Sequence, residues 1–273
     1  MTQEPEPPSD YVHGYSARES RRLHDQATTL AELLLSDTAY PPGARVLEAG
    51  CGIGAQTVTL ARQSPEAAIV AVDIALDSLA QAKRKLKANA LANVTLQCAD
   101  IFALPFAPAS FDHVFVCFVL EHLRVPAEAL ARLREVLKPG GVITVIEGDH
   151  GSTYFHPDSL EARRAVECLV ELQARTGGNG LIGRQLYPLL VQAGFADVRV
   201  SPRMVYVDGS RPELIDGFTR KTFSAMVEGV RGAVIAEGLM DAAAFDAGVR
   251  DLYRTAAADG VFCYTFFKGW GVR

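Results

Sequence analysis

Paired cysteines, a basic excess and a long apolar run are all missing from these 273 residues. The five cysteines, Cys51, Cys98, Cys117, Cys168 and Cys263, stand singly among apolar neighbours with no C-x-x-C pair. That excludes a disulfide framework and a zinc or other metal site, and implies buried thiols in a reducing cytoplasm. Lysine plus arginine number 27 against 32 acidic residues, a net charge of −5, which argues against nucleic acid as the partner. No apolar stretch reaches the ~18 residues that a membrane span requires. The first ten residues are acidic and proline-rich, with no apolar h-region. They read as a disordered arm and not as a signal peptide. What is abundant is apolar side chain, 49% of the total, enough for one large α/β domain with insertions or with a small cap.

One stretch organises the rest. Val46-Leu47 ends a short apolar run, Gly50, Gly52 and Gly54 follow at alternate positions, and a helical pattern covers Gln56 to Gln63. Glycines at such a junction let the backbone turn sharply and approach a ligand with no Cβ between them. The helix start then offers unpaired N–H groups. Asp73 closes the next apolar strand, where a carboxylate can accept from both hydroxyls of a ribose. The motif by itself also satisfies a dinucleotide fingerprint as Gly50-x-Gly52-x-x-Ala55, so the cofactor stays open at this point. A ligand-free glycine turn and a helix-capping acid are the plain alternatives.

Taken in order, Tyr11-Val12-His13-Gly14-Tyr15 is expected to form a flexible arm over residues 1–15 that either closes over a ligand or only packs down. A helix follows within 16–40, with Ser16 and Glu19 as capping box and Leu23, Ala27, Leu30, Ala31 and Leu34 as its apolar stripe. An exposed stripe invites a homo-oligomer built through the arm and helix. Strand and helix then alternate five times through 41–150: strands at Ala68 to Val72, Val94 to Cys98, Phe111 to Phe118 and Val142 to Ile146, the last ending on a loop from Glu147 to Gly151. Leu79, Ala82 and Leu86 are the inner face of a helix whose Lys83, Arg84, Lys85 and Lys87 are solvated. The remainder, 151–273, carries helices near 158–175 and 182–193, an alternating strand through Val198 to Tyr206, a helical cap at about 208–258, and a final strand from Val261 to Phe267. The expected fold is a Rossmann-like, doubly wound α/β sheet of seven mostly parallel strands, with an antiparallel last strand and the cap over its carboxyl edge.

Five pieces in this order resemble a class I S-adenosylmethionine-dependent methyltransferase. They are Val46 to Gly54, Val72-Asp73, Ala99-Asp100 with Leu104-Pro105-Phe106, Phe111-Asp112 through Leu120-Glu121-His122-Leu123, and Leu137-Lys138-Pro139-Gly140-Gly141. The resemblance covers about 44–148. It is similar in general look to quinone-biosynthesis and natural-product C-methyltransferases, and the arm and the Gly148 to Ser152 stretch resemble terpenoid C-methyltransferases of the teleocidin type. It implies S-adenosyl-L-methionine as cofactor. Glu48 and the backbone of Gly50, Cys51 and Gly52 would face its methionine part, Asp73 its ribose, Ile74 and Ile101 the adenine faces, and Asp100 the adenine amino group. Cys117 and Phe118 would line the site near the sulfonium, and Gln56 and His122 would be further cofactor contacts. Ala75 departs from a common serine or aspartate, which costs the next helix a cap. A nicotinamide enzyme of the short-chain type needs Tyr-x-x-x-Lys on a helix. Here that spacing occurs only as Tyr264 and Lys268 in a strand, about 13 Å apart, too far for one relay.

The expected reaction moves a methyl group to a small, largely apolar metabolite, at carbon on a prenylated, terpenoid or other natural product; O- or N-methylation and cofactor binding without catalysis are the alternatives. His122, Glu147, Asp149, His150, Tyr154 and His156 lie where a proton-handling group belongs, beyond the strand ends. His156 is the first candidate for general base, with His150 and the arm's Tyr15 behind it, because imidazole titrates near neutrality. His156 could equally cap the helix that follows.

Overall fold

The computed structural model describes residues 29–273. The expectations for Tyr11, His13, Tyr15, the capping box and the oligomer contact through that segment lie outside the described residues. Helical residues 29–35 bring Leu30 and Leu34 into the core.

Strand β1 (Arg45–Ala49) runs into the glycine loop and helix α1 (Ala55–Gln63). β2 (Ala68–Asp73), α2 (Leu76–Ala88), β3 (Val94–Cys98) and β4 (Phe111–Cys117) follow. A 3-10 turn at Leu120–His122 leads to α3 (Pro126–Val136), whose Pro126 suits a first turn that has no use for its N–H. β5 (Leu137–His156), α4 (Leu160–Arg175), the turn Ile182–Gln185, α5 (Leu186–Gln192) and β6 (Ala196–Val207) come next. Pro212–Leu214, Ile215–Ser224, Ala225–Gly229 and Arg231–Ala236 form a winding helical segment before α6 (Ala242–Arg254) and β7 (Val261–Val272). Ser159 and Asp241 cap α4 and α6 by accepting backbone N–H groups, as short polar side chains do.

The seven strands lie in the order β3-β2-β1-β4-β5-β7-β6. β1 to β5 pair in parallel, and β7 is antiparallel to both its neighbours. Helices on both faces bury the sheet. Leu60, Phe115, Leu169, Phe218 and Phe262 belong to one core, and Leu47, Val114, Leu130, Leu133 and Leu186 to the other. Each fully buried side chain of this size contributes about 1.5–3 kcal/mol.

β5 departs from the sequence reading. Val142 to Ile146 was expected to end on a loop, yet the strand continues to His156. Its pairing with β4 stops at Cys117 opposite Ile146; beyond that it pairs only with β7, from Glu147 opposite Phe267 to His156 opposite Val261. Together with β6 it makes a three-stranded tongue standing out past the end of β4. Gly148 and Gly151 leave room in the paired strand: a Cβ on Gly148 would fall on the Tyr264 hydroxyl, and one on Gly151 on the Arg184 guanidinium. A bulge sets residues 150–153 against Tyr264, since Asp149 pairs with Thr265 and Tyr154 with Cys263. The cap packs on one face of the tongue, where Phe218 and Phe223 meet Phe262 and Tyr264.

Candidate active site

The glycine loop has the left-handed backbone its composition suggests. Gly50, Gly52 and Gly54 all have positive φ, 77°, 52° and 72°. A Cβ on Gly50 would run into Val119, while one on Gly52 would meet nothing within 4 Å among the described residues. The loop therefore packs tightly on the end of β4 and is open above Gly52. The Gly50 and Cys51 N–H groups both donate to the Val72 carbonyl at 2.9 Å, tying the loop to β2.

Asp73 stands at the end of β2. Its Oδ2 accepts from Gly52 N at 2.7 Å and its Oδ1 from Ala75 N at 2.9 Å. Each oxygen keeps a further lone pair for a ligand hydroxyl. Burial raises the Asp73 pKa, and the N–H groups of Ala75 and Gly52 oppose the rise. Glu48 is only 2% exposed, and burial pushes its carboxyl up to about 8, with the Thr57 hydroxyl opposing and Asp73 adding to the shift. Among the described residues, Glu48 Oε2 is buried without a hydrogen-bond partner. Along the same edge Ile74 is 48% exposed, Ile101 is half-buried, and Asp100 Oδ1 accepts from Phe102 N at 2.9 Å. Gln56 lies half-buried in the first turn of α1.

On the β4 side, Cys117 is buried and Phe118 takes a left-handed conformation, φ 57°. That costs a non-glycine residue about 1–2 kcal/mol and needs support from outside. Phe118 N donates to the Ile146 carbonyl at 2.9 Å, and Glu147 Oε1 accepts from Val119 N at 3.0 Å and Leu120 N at 2.8 Å. Burial, with Glu121 nearby, holds the Glu147 carboxyl well above the usual range. Glu147, singled out only by position in the sequence, thus fixes the turn that carries Phe118 and His122.

A polar group of side chains gathers where the tongue leaves the sheet. His150 is 4% exposed, and its Nδ1 lies 2.9 Å from the Tyr264 hydroxyl. Its Nε2 is 3.8 Å from Glu121 Oε2, and Glu121 Oε1 is 3.6 Å from His122 Nε2. Gln173 Nε2 donates to Glu121 Oε2 at 3.4 Å. Gly180 accepts from His150 N at 2.8 Å, and Asn179 N donates to the Glu121 carbonyl at 2.7 Å, so the 177–180 loop wraps the group. Burial pushes the Tyr264 hydroxyl well above its usual pKa. Rings of Phe218, Phe223 and Phe266 lie 5.7, 5.4 and 4.7 Å from that of Tyr264, and Phe266 is 5.5 Å from Phe118. Asp149, at 2% exposure, is taken up by a two-pronged pair with Arg184 at 2.7 and 2.8 Å.

The structure brings Glu48, Gly50, Cys51, Gly52 and Asp73 together, and His122 together with His150. It does not bring His156 to them. His156 is exposed at the far end of the tongue, paired with Val261. Lys268, level with Ile146, is seven residues along β7 from Val261, roughly 23 Å at 3.3 Å per residue. Tyr154 is 68% exposed, and Tyr15 lies outside the described residues. Tyr264 and Gln173 were missed. The alternation of Phe262, Tyr264 and Phe266 could have placed Tyr264 on one buried face; nothing local marked Gln173.

The chain matches the methyltransferase domain family over residues 46–141. It is 33% identical over 220 residues to an uncharacterized 37.1 kDa protein in a transposon of Streptomyces fradiae, covering 80% of this chain and 62% of that one. It is 30% identical over 162 residues to a demethylmenaquinone methyltransferase of Thermus thermophilus, covering 49% of this chain and 73% of that one. The chain spans less than two thirds of the length of the first three curated relatives, 62%, 56% and 35%. Among solved structures, phosphoethanolamine N-methyltransferase 2 of Haemonchus contortus in complex with S-adenosyl-L-methionine shares the fold. Its TM-score is 0.57 at 20% identity, covering 91% of this chain and 52% of that one. With the ordered motifs, the sheet order and a relative covered over most of its length, the chain belongs to the class I S-adenosylmethionine-dependent methyltransferase family.

Proposed function

We propose that the chain methylates a small, largely apolar metabolite of natural-product type at carbon, with His150 as the group that handles the proton. The observation that carries the proposal is the buried His150–Tyr264 hydrogen bond, with Glu121 3.8 Å from the other ring nitrogen, set against an aromatic wall. The residues fit S-adenosylmethionine. Glu48 offers a buried acceptor oxygen without a partner for the amino group, Gly52 is open above, and the Asp73 carboxylate is aimed by two N–H groups. Asp100, Ile74 and Ile101 would take the adenine. When bound, the cofactor supplies an electrophilic methyl group on sulfur.

The protein's own part is to hold the acceptor opposite that methyl group in a site closed to water. Phe118, Phe266 and the cap phenylalanines supply apolar wall. An enol, phenol or alkene carbon gives up a proton in the course of methylation, and in this reading His150, beside the Tyr264 hydroxyl and Glu121, takes it. O-methylation is the second reading, favoured by the same pair, because a hydroxyl acceptor also loses its proton. The names of the relatives, demethylmenaquinone and trans-aconitate methyltransferases among them, support small acceptors.

The test is S-adenosylhomocysteine release with a panel of a prenylated quinol, an isoprenoid alkene, a catechol and a primary amine, the new methyl group being placed by mass spectrometry. His150→Ala should cut turnover by about 10²–10⁴-fold, the worth of general base catalysis. His156→Ala should leave it unchanged. Loss of activity in His156→Ala with His150→Ala active would overturn the assignment.

A further inference from the structure

β4 and β5 stay paired only as far as Cys117 opposite Ile146. One residue later the two chains part. Glu147 continues opposite Phe267 of β7, while Phe118 turns left-handed at φ 57° and leads into the 3-10 turn Leu120–His122. The N–H groups of Val119 and Leu120 lie beyond the β4 ladder, and both donate to Glu147 Oε1, at 3.0 and 2.8 Å. Backbone N–H groups inside a fold are nearly always paired, and here one side-chain oxygen serves two of them in place of a neighbouring strand. Glu147 is 0% exposed, and burial, with Glu121 nearby, keeps its proton on. Its Oε2 has no hydrogen-bond partner among the described residues. What the turn uses is a neutral acceptor oxygen, not a charge.

The three residues held in this way have three different neighbours. Phe118 sets its ring 5.5 Å from that of Phe266, which lies 4.7 Å from Tyr264. Val119 packs on the glycine loop, where a Cβ on Gly50 would lie 2.4 Å from Val119 Cγ2. The Gly50 N–H donates to the Val72 carbonyl at 2.9 Å, so the loop is confined between β2 and Val119. Leu120 is fully buried in the core that contains Val116 and Leu130, and anchors the turn.

We propose that Glu147 is a positioning residue for methyl transfer: by gathering the Val119 and Leu120 N–H groups on one oxygen, it seats Val119 on the cofactor loop and Phe118 on the acceptor wall, and so sets the spacing between cofactor and acceptor. It acts through the backbone and not on the reacting atoms. This role rests on the reading above of the aromatic wall as the acceptor side. In-line transfer is sensitive to such spacing, since a misplacement of about 1 Å costs roughly 100-fold in rate.

The test compares Glu147→Gln, which keeps an acceptor oxygen, with Glu147→Leu, which fills the space and leaves both N–H groups unpaired. Calorimetry of the full chain with S-adenosylhomocysteine reads the cofactor loop. Single-turnover rates read the spacing, with whichever of a prenylated quinol, an isoprenoid alkene, a catechol and a primary amine the wild type methylates. Both are measured well below each variant's Tm. Glu147→Leu should bind S-adenosylhomocysteine about 10-fold more weakly and transfer the methyl group about 100-fold more slowly. Glu147→Gln should bring both values back to within about 3-fold of wild type, because the acceptor oxygen is restored. A purely structural role would lower Tm and leave the constants of the folded protein alone. Where Glu147→Leu does not fold, Val119→Ala keeps the Glu147 bonds and should weaken S-adenosylhomocysteine binding by about 3–10-fold. Either constant at its wild-type value in folded Glu147→Leu, equal losses in Glu147→Gln and Glu147→Leu, or unchanged binding in Val119→Ala would each overturn the proposal. If the wild type methylates none of the four acceptors, the acceptor reading fails, and the S-adenosylhomocysteine titrations still decide for or against Glu147.

Discussion

Glu48 is buried near the end of β1, beside Thr57 and Asp73, and its carboxyl holds its proton up to about 8. Its pKa in the unfolded chain is near 4.5, so the folded state binds the extra proton between the two values. Stability then falls as pH rises from about 4.5 to about 8, because over that window unfolding releases a proton that the folded chain keeps. The contribution is complete below that window and lost above it. Glu48→Gln abolishes the loss. Urea unfolding should find the variant about 2–4 kcal/mol more stable than wild type at pH 8.5, and within about 0.5 kcal/mol at pH 4.5. A difference that does not grow with pH would show that the carboxyl is not held protonated by burial. A bound ammonium group would reverse the preference and draw the proton off. Cofactor binding near pH 7 should therefore release a proton, seen as a dependence of calorimetric heat on the buffer's ionisation enthalpy.

At the scale of elements, the β5–β7 tongue decides which titratable residues reach the site. Its bulge at residues 150–153 turns His150 toward Tyr264, and its length carries His156 away. Gly148→Ala probes this without touching the glycine loop. The added methyl group would fall on the Tyr264 hydroxyl in a strand paired along its length. Overpacking of that kind costs about 1–3 kcal/mol. Turnover should fall with the broken His150–Tyr264 bond, while affinity for S-adenosylhomocysteine stays at the wild-type value. A variant with full turnover and unchanged Tm would mean that the two side chains are independent. Much of the parallel sheet was legible because its strands are short apolar runs, some closed by glycine or an acid, as at Val46 to Gly50 and Ala68 to Asp73. The tongue was not. Glu147-Gly148-Asp149-His150-Gly151 has the composition of a loop, and its strand character comes from pairing with β7, more than a hundred residues away. Glu121, His150, Gln173 and Tyr264 meet only through that pairing and through α4, so local pattern could offer His150 by position and nothing to rank it above His156.

For the molecule as a whole, the sheet places two chemistries side by side. The edge formed by β1, β2 and the glycine loop carries backbone N–H groups and carboxylates suited to a nucleoside and an amino acid. The step where β4 ends and the tongue continues carries aromatic rings and the His150–Tyr264 pair. Phe118 sits at the boundary, held in its left-handed conformation by the turn that Glu147 fixes. The central claim is that this first edge binds S-adenosylmethionine through Asp73. Isothermal titration of the wild type and Asp73→Ala with S-adenosylhomocysteine, and of the wild type with NAD, tests it most directly. Stoichiometric binding of S-adenosylhomocysteine and no heat with NAD are expected. So is a loss of about 1.5–3 kcal/mol in Asp73→Ala, the range for hydrogen bonds to a charged group. Binding of NAD without S-adenosylhomocysteine, or an Asp73→Ala dissociation constant equal to that of wild type, would contradict it.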